Sequence, residues 1–139
     1  MATRSTIRGN LADASHQNRL AARLRATAPD RAFSLVKDLI ARDPQIGLSI
    51  ANRVIKQRRQ LEKLFAEGIE NSNESTARFW IESLGPRIGA LRVIEMVESQ
   101  ARNNPAVGAK ALYWLPALVK DDQKAKSSLR RLREHLATI

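Results

Sequence analysis

Apolar positions recur three and four residues apart along most of the chain, and most such runs close on a recognisable helix boundary. The spacing predicts a first helix over about residues 13–26, with Leu20 and Leu24 on its buried stripe. A second, over 29–42, buries Ala32, Phe33, Val36, Leu39 and Ile40. Thr27-Ala-Pro-Asp30 reads as a capping box for that helix, with Asp in the usual place of Glu. Asp43-Pro44 ends the second helix, because proline disfavours a helical residue before it, and opens a third. The stripe Ile46, Ile50, Val54, Leu61 and Phe65 predicts about 22 residues of continuous helix there, with Gly68 as a C-terminal cap. The polar residues 70–75 predict the most mobile internal loop. A short helix over about 74–84 then buries Ala77, Trp80, Ile81 and Leu84 and ends at Gly85-Pro86. A fifth, over about 87–102, buries Ile88, Leu91, Ile94 and Val97.

The most apolar stretch follows, Asn103 to Val119, which holds Tyr113 and Trp114, no acid, and Lys110 as its single cation. Asn104-Pro105 is a helix start, since proline at the first helical position gives up an N–H that would be unpaired anyway. A helix from about 105 to 119 is apolar nearly all round and needs neighbours on most sides, so it is expected at the centre of the domain. Pro116 then either kinks this helix or marks its end near Trp114. Asp121 or Asp122 caps a last helix with the stripe Ala125, Leu129, Leu132, Leu136 and Ile139. The pattern as a whole predicts an all-α protein of about seven helices: a single domain over 13–139 behind a flexible basic terminus, 1–12.

Shifting the chain by 61 residues aligns Asp43-Pro44-Gln-Ile46-Gly47 with Asn104-Pro105-Ala-Val107-Gly108, and pairs Val36 with Val97 and Leu20 with Ile81. Two three-helix units and a C-terminal capping helix follow from this alignment. The Asp-Pro step and its branched apolar residue resemble the helical repeats of the HEAT and armadillo type. The resemblance covers about residues 13–120 and implies a right-handed helical-repeat array used as a binding scaffold rather than as an enzyme.

Composition narrows the chemistry. The 139 residues contain no cysteine, which removes disulfides, thiol catalysis and thiolate metal sites. His16 and His135 lack a second histidine at ligand spacing, and no phosphate-cradling glycine loop or serine elbow is present. Neither catalysis nor a cofactor is expected. No apolar run approaches the roughly 18 residues of a membrane span, so a soluble, cytoplasmic protein is expected. The N-terminal Arg4 and Arg8 with Ser5, Thr3 and Thr6 are also faintly like an organelle transit segment.

Charge supplies the functional signal. The 24 Lys and Arg against 14 Asp and Glu give +10, which suits an acidic partner. Arg53, Lys56, Arg59 and Lys63 recur every three or four residues opposite the apolar stripe of the expected third helix, forming one ridge. Lys126, Arg130 and Arg133 do the same on the last helix. An ordinary solvated helix face explains such runs too. As a site, these seven residues would bind an acidic protein surface, or dock the chain on a larger assembly; alternatively they would follow nucleic-acid phosphates with little sequence preference. Self-association through a bipolar surface is a further option. Most of the six aromatics fall on buried stripes, which argues against base stacking, with Phe79 as the exception.

Overall fold

The computed structural model describes residues 14–138, all-helical and without a strand in that range. The expected basic terminus 1–12, Asp13 and Ile139 lie outside the described residues. The helices are α1 (Ala14–Arg25), α2 (Pro29–Arg42), α3 (Pro44–Val54), α4 (Arg58–Asn71), α5 (Glu74–Ile88), α6 (Ala90–Ala101), α7 (Pro105–Leu112), α8 (Leu115–Val119) and α9 (Gln123–Ala137). None is long and apolar enough to cross a membrane. Proline punctuates this order. Pro29, Pro44, Pro105 and Pro116 all sit in the first turn of a helix, where the missing N–H costs nothing.

The chain falls into two compact units, the first up to Gln57 and the second from Arg58. In the first, α2 and α3 pack most closely, and α1 lies mainly on α3. The approach of α2 and α3 depends on Gly47, because a Cβ there would come within 2.5 Å of the Ile40 Cα. Asp43 turns the chain between them with φ −147° and ψ 95°, and its side chain accepts from the Ile46 N–H at 3.2 Å. Arg25 then ties α1 to the end of α3 by donating to the Arg53 carbonyl from Nε and Nη2, at 3.3 and 3.2 Å.

In the second unit α4 pairs with α5, α6 with α7, and α9 lies across α6, α7 and α8. Trp80 of α5 lies flat on Gly68 of α4, whose added Cβ would meet the indole ring at 2.3 Å. Phe65, Leu64, Ile69, Ile81, Leu84, Ile88, Ile94, Leu115 and Leu132 are essentially fully buried, each contributing roughly 1.5–3 kcal/mol on leaving water. The joint between α4 and α5 is two residues long and tightly held. Asn73 accepts from the Thr76 N–H at 2.8 Å while Thr76 Oγ1 accepts from the Asn73 N–H at 2.9 Å. Lys110 donates to the carbonyls of Glu70 and Ser72, and Trp114 Nε1 donates to the Glu74 carbonyl at 2.9 Å. Of residues 70–75 only Ser72 and Asn73 lie outside a helix, and both Lys110 and Trp114 of the apolar stretch bond to this joint.

Several boundaries differ from expectation. The single third helix is two, because the chain leaves helical geometry at Ile55 with φ −79° and ψ 114°. A straight helix would set Ile55 beside the Ile50–Val54 stripe; the break leaves it 3% exposed. Gly68 is no cap, since α4 continues to Asn71 and uses Gly68 as the seat for Trp80. The helix from Glu74 passes through Gly85-Pro86 to Ile88. Gly85 has no Cβ to strike the proline ring, and the helix ends instead at Gly89, whose φ of 101° suits glycine. Thr27 forms no capping box: its hydroxyl donates to the Arg23 carbonyl at 2.8 Å, and Ala28 precedes α2 without a side-chain cap. The apolar stretch divides at Tyr113-Trp114, giving α7 and α8, which is the second of the two readings of Pro116, a helix end near Trp114; Tyr113 is 76% exposed there. Together these two breaks give nine helices among the described residues where about seven were expected.

The helix starts at 29 and 44 recur 61 residues on, at 90 and 105, and the start at 74 lies 60 residues after the first described residue, Ala14. Asn104 has φ −144° and ψ 87°, close to Asp43. Gly47 faces Ile40, and Gly108 faces Ala101. Val36 and Val97, Ile50 and Ala111, and Val54 and Leu115 are buried in both settings.

Candidate functional site

The four cations expected along one third helix fall on two helices and the break between them. Arg53 ends α3 and is half-buried, with Nη2 donating to Asn18 Oδ1 at 2.8 Å. Lys56 is exposed in the break between helices, and both residues belong to the first unit. Arg59 and Lys63 are exposed on α4, in the second. The helical register that was to align the four ends at Val54.

In the second unit many cations are spent on neighbouring acids. Arg58 Nε donates to Glu62 at 3.2 Å and its Nη2 to the Ile88 carbonyl at 2.6 Å, which satisfies the open end of α5. Arg92 of α6 donates to the other Glu62 oxygen at 2.7 Å. This hydrogen bond from Arg92, aided by both guanidinium charges, holds the Glu62 carboxyl below the usual glutamate range against the opposing effect of burial. Arg78 pairs with Glu82 at 2.9 Å and Arg102 with Glu98 at 3.6 Å. Burial pushes the Lys110 ammonium down, and nearby Glu70 opposes that.

Helix α9 is different. Asp122 opens it by accepting from the Ala125 N–H at 3.1 Å, and Ala125, Ser128, Leu129 and Leu132 turn inward. The remaining arc carries Lys124, Lys126, Arg130, Arg131 and Arg133 against a single acid, Glu134. All five cations are exposed and none has an ion-pair partner among the described residues. Lys124, Arg130 and Arg131, with Gln123, Ser127 and Leu91 of α6, line a shallow groove of about 640 Å³. The groove therefore offers guanidinium, ammonium, hydroxyl and amide donors to an anionic group. Of the residues singled out in the sequence, Lys126, Arg130 and Arg133 meet on this helix. Lys124 and Arg131 were missed, although their spacing of seven residues places them on one flank of the same helix.

A second groove in the same unit, of about 320 Å³, is lined by Ile81, Glu82, Pro86, Ala90, Trp114, Ala117, Leu118 and Lys120. Its walls are fixed. Trp114 is held by Glu74, meets Tyr113 edge-on at 4.7 Å and lies under the Arg78 guanidinium at 5.3 Å. Lys120 has φ 48° and ψ −115°, a conformation that favours glycine and costs another residue about 1–3 kcal/mol. Reading the aromatic stretch as covered on most sides gave no sign of this groove. Phe79, the aromatic off the stripe, is half-buried. His16 is half-buried and His135 exposed; no metal-ligand cluster occurs among the described residues. Neither a protein-family model, a curated protein nor a solved structure matches the chain.

Proposed function

We propose that the protein is a non-enzymatic α-helical interaction module that docks an acidic protein surface through the cationic arc of α9. The carrying observation is that five exposed cations on one helix have no ion-pair partner among the described residues, while Arg58, Arg78, Arg92 and Arg102 are matched with glutamates. Unmatched charge of one sign attracts and orients a partner of the other sign. The apolar groove at Trp114 and Leu118 favours a protein over a nucleic acid, because a protein can bring a large apolar side chain as well as carboxylates. A scaffold role also fits the HEAT- and armadillo-like reading, in which two three-helix units and a final capping helix form a right-handed array; the matched helix starts at 61-residue spacing support that reading.

Ser127 and Gln123 beside Arg130 and Arg131 also suit phosphate oxygens, which favours sequence-tolerant nucleic-acid binding as the second reading. Titrating a fluorescein-labelled acidic peptide, duplex DNA and single-stranded RNA at low and physiological salt separates the two. The first reading expects saturable peptide binding at physiological salt. Binding of nucleic acid alone, weakening linearly with log salt, would replace it with the second.

A further inference from the structure

We infer that the groove lined by Ile81, Pro86, Ala90, Trp114, Ala117 and Leu118 seats a large apolar side chain of an acidic peptide, with an adjacent carboxylate meeting Lys120. This rests on the acidic-partner reading and assigns that partner an apolar anchor.

Four observations carry it. The groove's volume of about 320 Å³ is at the lower end of the roughly 300–1,000 Å³ typical of ligand sites, enough for one anchoring side chain rather than a cofactor. It is preformed, because the Glu74 carbonyl holds Trp114 while Leu118 fills the space left by Gly85. Little need be ordered when it is filled. The charge at its rim is selective: Glu82 is already matched by Arg78, whereas Lys120 has no ion-pair partner among the described residues. Lys120 also keeps a side chain at a backbone conformation where glycine would be relaxed, so the chain sustains strain at the position that supplies the rim charge.

The two grooves are lined by neighbouring residues of one helix. Ala90 lines the first and Leu91 the second, at the start of α6. A single acidic segment can therefore place its anchor at Trp114 and its remaining carboxylates along α9. Tyr113, exposed beside Trp114, adds an aromatic edge of the kind that concentrates binding energy in protein interfaces.

Two labelled peptides of equal charge test this, one Glu-Glu-Leu-Phe-Glu-Glu and one with serines replacing Leu and Phe, titrated by anisotropy against the full chain. The apolar peptide is expected to bind at least tenfold more tightly and to change Trp114 emission, a change that Trp114→Phe abolishes. Lys120→Gly is expected to raise the melting temperature while weakening the apolar peptide about tenfold, which separates lost recognition from lost folding. Equal affinity for both peptides, each weakened by Lys124→Glu with Arg131→Glu, would overturn the anchor and leave the acidic-partner reading standing. Binding of neither peptide would overturn both. A concentration-dependent dimer blocked by Leu118→Lys would overturn the peptide as occupant and assign the groove to a second copy.

Discussion

Gly68 illustrates how one residue fixes a packing decision. Its missing Cβ lets Trp80 lie on α4, and adding that atom would place it 2.3 Å from the ring. Gly68→Ala is expected to lower stability by about 1–3 kcal/mol, despite the better helix propensity of alanine, and to shift Trp80 emission to the red. Urea unfolding followed by fluorescence measures both; a stabilised variant would contradict the contact. Glu62 holds two arginines, and its lowered pKa sets a sign. Its contribution is complete above the unfolded glutamate pKa and disappears as pH falls through the folded value. Glu62→Gln should therefore cost about 0.5–1 kcal/mol at pH 7, and the difference from the parent should narrow at an acidic pH below the ordinary glutamate range. Urea midpoints at the two pH values check it. Lys120 and Tyr113 mark where residue type alone misleads: a lysine occupies a glycine-like backbone position, and a tyrosine in the most apolar stretch faces outward.

At the scale of elements, the helices whose ends carry their own chemistry were legible. The limits of α2 follow from Pro29 and Asp43-Pro44, and α9 begins where Asp122 caps it. Asp122→Ala is expected to cost about 1 kcal/mol and to fray the first turn of α9, read as faster amide exchange there; unchanged exchange would remove the cap from the explanation. The break at 55–57 was not legible, because Ile55-Lys-Gln57 contains neither glycine nor proline, and the stripe on either side stays in helical phase. The break leaves Ile55 buried, a tertiary feature that periodicity does not carry. Gly85-Pro86 failed in the opposite direction. A strong stop signal was overrun by less than one turn: Gly89 terminates the helix three residues after Pro86.

For the whole molecule, helical class and much of the core could be read from periodicity, although Leu20, Phe33, Ile46, Leu91 and Leu136 of the expected stripes are only half-buried, whereas the site could be read only as charge. Net charge identifies the class of partner and says nothing about which cations are already satisfied. Arg58 and Arg59 are neighbours in sequence, yet Arg58 bridges Glu62 and the Ile88 carbonyl while Arg59 lies exposed on α4. Only folding sorts matched from unmatched charge. That sorting moves the weight of the candidate site from the third predicted helix to α9, and adds Lys124 and Arg131 to it. The most direct measurement is the affinity of a labelled acidic peptide for the parent and for the triple variant Lys124→Glu, Arg130→Glu, Arg131→Glu, with melting curves recorded on both. A loss of at least tenfold in affinity with an unchanged melting temperature is expected. Equal affinity of the two folded proteins would contradict a docking role for α9.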